Sequence, residues 1–238
     1  MSEPKTPSRT GSSEVARGTS SSSEVDAFLS KVQSLTPTVA GGGRVIFAMD
    51  ATMSRQPTWD LALGLQSEMF RAVKKVGGLD VQLMYFRGFG ECRASKWVRD
   101  PDALARLMRQ VHCEGGHTQI RKVLTHARKE TGRQTVNALV YVGDCMEENV
   151  DALCQLAGEL GLVGVPVFVF QEGHDARAEQ AFKEIARLSR GAYCRFDAGS
   201  AAQLRALLNA VAVYASGGRK ALENAKSGAA TLLLEQLR

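Results

Sequence analysis

Arg44-Val45-Ile46-Phe47-Ala48-Met49-Asp50-Ala51-Thr52-Met53-Ser54 is the stretch whose reading decides the rest of the chain. An apolar run of β-branched and aromatic residues without alternation has the pattern of a strand buried on both faces. It stops at a carboxylate, and hydroxyls follow at every second position. Oxygen ligands of this kind suit a hard cation. In an open parallel α/β sheet, ligands sit in the crevice outside the carboxyl ends of the strands, so Asp50, Thr52 and Ser54 stand where a ligand belongs. Two later stretches can complete the site. Gly115-Gly116-His117-Thr118 is a tight turn with a hydroxyl where an amphipathic helix begins, and Val140-Tyr141-Val142-Gly143-Asp144 is another buried strand ending in an acid.

Outward from that stretch, strand and helix patterns alternate. Ala62, Leu65, Met69, Val73 and Val76 recur at helical spacing from near Thr58 until Gly77-Gly78. Leu79 to Phe86 reads as a strand, Glu91 to Val98 as a half-exposed edge strand, and Asp100-Pro101 as a helix start. Ile120, Val123, Leu124 and Ala127 mark the helix after Thr118, and Val136 to Gly143 is the strand that delivers Asp144. The alternation continues through a helix at Val150 to Leu160, a strand at Val165 to Phe170, a helix around Ala178 to Ile185, a strand at Ala192 to Phe196 and a helix at Leu204 to Val211. The expected architecture is a three-layer, doubly wound, Rossmann-like α/β fold, its mostly parallel sheet covered by helices on both faces.

In the order Asp-x-Thr-x-Ser, then Thr, then Asp, residues 44 to 215 resemble the von Willebrand factor A (VWA) domain family and its metal-ion-dependent adhesion site (MIDAS). Thr52 stands where that family usually has serine, and a hydroxyl oxygen is kept. The resemblance implies a VWA-like sheet with one antiparallel edge strand. It also implies a divalent ion, Mg2+ or else Mn2+ or Ca2+, with Thr52, Ser54 and Thr118 beside it and with Asp50 and Asp144 accepting from hydroxyls and bound waters. The remaining coordination position would belong to an exposed Asp or Glu of a protein partner, making the chain a non-enzymatic interaction module. Arg55, Gln56, Arg87, His117, Glu147, Glu148, Glu172 and His174 would lie on the surrounding loops and set partner choice.

Composition narrows the alternatives. The chain has 238 residues, 44% hydrophobic and 23% charged, which suits one soluble domain with appendages. No apolar run approaches the ~20 residues of a membrane helix, and residues 1 to 23 lack a signal-like apolar core, so no membrane association and a cytoplasmic location are expected. The net charge of +5 is spread without a dense basic block, so nucleic acid is not expected as a partner. Oligomeric state is not legible. Residues 1 to 22, rich in Ser, Thr, Gly and Pro, are expected to be disordered. Residues 23 to 43 should form a short helix and linker, 44 to 216 the domain, and 217 to 238 a C-terminal amphipathic helix. The five cysteines read as reduced thiols. A zinc set from His112, Cys113, His117 and Cys145 lacks repeated ligand spacing. A haloacid-dehalogenase-like, magnesium-dependent phosphatase is the rival reading, with Asp50 as nucleophile, but its general acid would fall at Thr52, which does not exchange a proton at neutral pH.

Overall fold

In the computed structural model, residues 42–73, 78–196 and 200–237 are described. The helix and linker expected before residue 42, and the helix end at Val76-Gly77, lie outside them. The first strand, β1 (Gly43–Asp50), is buried along its whole length. A 3-10 turn, Met53–Arg55, then leads into α1 (Gln56–Val73), two residues earlier than the apolar periodicity suggests. The strands β2 (Leu79–Arg87) and β3 (Glu91–Val98) follow as a hairpin, and α2 (Pro101–Arg109) starts where Asp100 caps Ala103 N with its side chain. Next come α3 (Ile120–Arg133), β4 (Ala138–Gly143), α4 (Val150–Leu162), β5 (Val167–Glu172), α5 (Ala176–Leu188) and β6 (Ala192–Phe196). Pro166 cannot donate to a ladder, and β5 accordingly begins after it.

The sheet order is β3-β2-β1-β4-β5-β6, parallel throughout except for the antiparallel edge strand β3. This is the doubly wound order, in which chain direction across the sheet reverses between β1 and β4. Helices α1 and α2 share one core with Val45, Phe47 and Met49, whereas α3, α4 and α5 pack on the opposite face against Ile46, Ala48 and Tyr141. Alternate side chains of one strand therefore feed two separate cores, which is why β1 shows no polar alternation.

The C-terminal segment is more elaborate than one tail helix. Helix α6 (Ala201–Asn224) passes through Gly217 and bends at Gly218, whose φ of 67° suits glycine, and α7 (Gly228–Gln236) follows. Leu222, Ala230, Leu233 and Leu237 join the core on the α1 side, so the apolar stripe of the tail is used within this domain. Close approach here depends on Gly43, because a Cβ at that position would lie 2.4 Å from the Ala215 carbonyl oxygen. No described helix is long and apolar enough to cross a membrane.

Candidate metal centre

Register brings the two acids together. Met49 pairs with Val142, so β1 and β4 leave the sheet at the same height, with Asp50 ending one and Asp144 following the other. Between them lies the reversal point of the doubly wound sheet. One ligand atom each from Asp50, Asp144 and Cys145 lies within 4.8 Å of the others. Asp50 is 1% exposed, and its Oδ1 accepts from Thr52 N at 2.7 Å, a bond made because the chain turns back immediately after the strand.

Ser54, in the 3-10 turn, donates from Oγ to Asp144 Oδ2 at 3.0 Å. Thr118 comes from the loop before α3, where its Oγ1 accepts from Glu147 N at 3.1 Å and its own N donates to Glu147 Oε2 at 3.0 Å. Those reciprocal bonds tie the Thr118 loop to the loop carrying Asp144. The sequence pattern suggests Thr118 as the opening residue of α3, yet the helix starts at Ile120, and the carboxylate of Glu148 accepts from Ile120 N and Arg121 N instead. An acid at a helix N-terminus satisfies donors that have no partner inside the helix. Burial pushes the Glu148 carboxyl above its ordinary pKa against these hydrogen bonds.

Electrostatics mark the acid pair as unfinished. Burial, reinforced by the neighbouring Asp144, raises the Asp50 carboxyl to about 6 although the Thr52 hydrogen bonds pull it down. Asp50 Oδ2 and Asp144 Oδ1 are buried without a hydrogen-bond partner, as is the Tyr141 hydroxyl, which lies 2.5 Å from where a Cβ on Gly143 would stand. Buried polar atoms without partners are costly, and two carboxylate oxygens with free lone pairs at one spot suit a bound cation. Burial and Asp144 also push the Cys145 thiol up to about 12.

Two residues expected on partner-selecting loops are instead internal. Arg55 is 3% exposed; its Nη1 lies 3.4 Å from Asp144 Oδ2 and its Nη2 pairs with Glu172. Thr58 accepts from Arg55 at 2.6 Å and donates to the same carboxylate. Glu172, 7% exposed, ends β5 next to β4. This pairing crosses 117 positions of sequence, from 55 to 172, and nothing in local periodicity signals it. Cys145 was the member of the discarded zinc set that does lie at the site; His112, Cys113 and His117 are not in its cluster of ligand atoms.

Neither a protein-family model nor a curated protein sequence matches this chain. Its structure is similar to that of an aerotolerance-related membrane protein from Bacteroides fragilis, with a TM-score of 0.56 at 19% identity over 71% of this chain and 97% of that one. A von Willebrand factor type A protein from Catenulispora acidiphila gives a TM-score of 0.59 at 14% identity, covering 74% of this chain and 43% of that one. The fold is that of a VWA domain. A further VWA-like neighbour is proximal thread matrix protein 1 from the mussel byssus, whose structure has a zinc-occupied MIDAS motif; the TM-score is 0.56 at 18% identity, over 73% of this chain and 45% of that one. On this VWA scaffold, the strand ends and the Thr118 loop meet at one rim.

Proposed function

We propose that the chain is a non-enzymatic, metal-dependent protein-interaction module. Asp50, Thr52, Ser54, Thr118 and Asp144 would hold a divalent cation, magnesium or else manganese or calcium, that binds an exposed Asp or Glu of a partner protein. The observation that carries this reading is the pair of buried, unpartnered oxygens Asp50 Oδ2 and Asp144 Oδ1 at the β1/β4 reversal point. A zinc-occupied MIDAS motif in a protein of the same fold supports it. The thiol of Cys145 beside the carboxylates adds a soft donor, which makes zinc a cation to test alongside the hard ones.

Charge balance favours a divalent ion. The set holds three carboxylates, Asp50 and Glu172 buried and Asp144 half-buried, and one buried guanidinium, Arg55, which leaves two negative charges. When bound, the ion supplies a Lewis-acidic point charge that attracts an incoming carboxylate. The protein's own residues fix where that charge sits. Thr52 N orients Asp50, Ser54 orients Asp144, and the Glu147 bonds hold Thr118 against the same rim.

Thermal melting with and without magnesium, manganese, calcium or zinc tests the reading. At a hundredfold excess over the dissociation constant a ligand adds about 2.7 kcal/mol. The wild type should gain that stability and Asp50→Asn should not; a variant that responds like the wild type removes the site. The same pair of proteins separates this function from the phosphatase reading. Magnesium-dependent hydrolysis of a generic phosphoester that is lost in Asp50→Asn would reverse the assignment.

A further inference from the structure

Next to the metal centre, the sheet face that carries α3 holds a groove of about 660 Å³. Helix α3 is the outermost of three helices packed in a row on this face, and beyond it Met84 of β2 and Cys92 of β3 line the groove. Phe89, at the tip of the β2–β3 hairpin, is 85% exposed and stands edge-on to His117 at 5.2 Å between ring centroids. Thr118, which the proposed function places beside the ion, lines the groove, so the ion would stand at the groove's end.

Cationic side chains outnumber acids in the groove, three to one. Arg121, Lys122 and Lys129 project from exposed positions of α3, and the one carboxylate in the lining, Glu148, is already bonded to the first amides of that helix. Lys122 is committed to the Gly90 carbonyl at 2.9 Å and to Gln119 Oε1 at 2.7 Å, which pins the hairpin to the helix. Arg121 and Lys129 enter no ion pair among the described residues. An apolar floor between an electropositive wall and a cation site is complementary to a chain carrying spaced acids around an apolar side chain.

We propose that this groove receives an extended acidic segment of the partner protein. Its leading carboxylate would go to the metal, its second acid four residues on would pass Arg121 and go to Lys129, and the apolar side chain between them would lie on Met84 and Cys92. The proposal rests on the metal-centred function above and extends it to the partner's sequence. Ile120 to Lys129 spans about 13.5 Å along the helix, at 1.5 Å per residue. The four steps between the two acids of an extended segment, at ~3.3 Å each, cover about 13 Å, a matching reach.

The test measures fluorescence anisotropy of a labelled, C-terminally amidated Glu-Gly-Leu-Gly-Glu peptide with the full chain, in magnesium and in EDTA, all peptides being amidated so that no terminal carboxylate stands in for the second acid. Glu-Gly-Leu-Gly-Gln, which lacks the second acid, and Lys-Gly-Leu-Gly-Lys serve as controls. The doubly acidic peptide should bind in magnesium at least tenfold more tightly than either control. The double variant Arg121→Glu/Lys129→Glu should bring it down to the level of the Gln-terminated peptide, with the magnesium-induced rise in melting temperature kept. Equal binding by wild type and double variant, with magnesium dependence intact, overturns the groove and leaves the metal function standing. Binding that ignores EDTA and Asp50→Asn, yet falls in the double variant, overturns the metal-anchored pose and the metal function with it. No binding of the doubly acidic peptide, by a protein whose melting temperature does rise with magnesium, overturns the groove alone.

Discussion

Replacing Asp50 by asparagine changes the charge of the site while keeping its shape. The amide oxygen can still accept from Thr52 N, as Asp50 Oδ1 does at 2.7 Å, and the amide nitrogen takes the position of the unpartnered Oδ2 beside Asp144. Without metal, the aspartate is a burden on the fold. Its carboxyl is raised from 3.8 to about 6 by burial first and by Asp144 among the lesser causes, so the folded protein holds a proton that the unfolded chain gives up more readily. The stability this group contributes is complete below pH 3.8, declines as the pH rises and is lost by about pH 6. A shift of that size corresponds to about 3 kcal/mol. Asparagine does not titrate, so in EDTA above pH 6 the variant should be the more stable protein by up to that amount. At 2–4 °C per kcal/mol for a chain of this size, the melting temperature should rise by roughly 6 to 12 °C.

Adding a divalent ion should close most of that gap. The wild type gains about 2.7 kcal/mol at a hundredfold excess over its dissociation constant, and the variant gains nothing. Differential scanning calorimetry at pH 4, 5, 6 and 7.5, with EDTA and with magnesium, reads both effects. The gap in EDTA should be small at pH 4 and level off above pH 6. A variant that melts at or below the wild type in EDTA at pH 7.5 would refute the electrostatic argument. One that still responds to metal would refute the site.

Other perturbations reach the supports of that centre. Arg55→Leu leaves Glu172 buried without its guanidinium and should cost about 3 to 5 kcal/mol by chemical denaturation, whereas Arg55→Leu/Glu172→Leu should recover much of the loss. Glu148→Ala removes the acceptor for Ile120 N and Arg121 N; a loss of about 1 to 3 kcal/mol is expected, and faster amide exchange at those two positions would localise it. Gly116→Ala would place a Cβ 2.1 Å from the Gly88 carbonyl oxygen, so the Thr118 loop must move: melting temperature should fall and metal affinity with it, both measurable by titration calorimetry and thermal melting.

How much of this was legible in the sequence follows from the range of the forces involved. An apolar run ended by an acid is a local pattern, and it placed β1 and β4 with Asp50 and Asp144 at their ends, because a strand buried on both faces has no other place for a carboxylate. The alternation of periods likewise located the helices, with ends displaced by a residue or two where a cap decides: Thr118 carries the expected hydroxyl, but Glu148, 28 positions away from Ile120, supplies the acceptors. Periodicity identifies an apolar face without naming its partner, so the stripe through Leu222 and Leu233 was visible and its use in the core beside β1 was not. Least legible was Arg55, a charged residue in a loop-like stretch, which ordinary exposure trends would put in solvent. Its burial becomes intelligible only once Asp144 and Glu172 are seen to converge on it from the ends of β4 and β5. Three acids at one rim would repel one another in a site of low dielectric, and one internal guanidinium reduces that repulsion while leaving room for a double charge. The same arginine that hides the site's full acidity from the sequence leaves a net charge of two among these four side chains, the charge that the proposed divalent ion would balance.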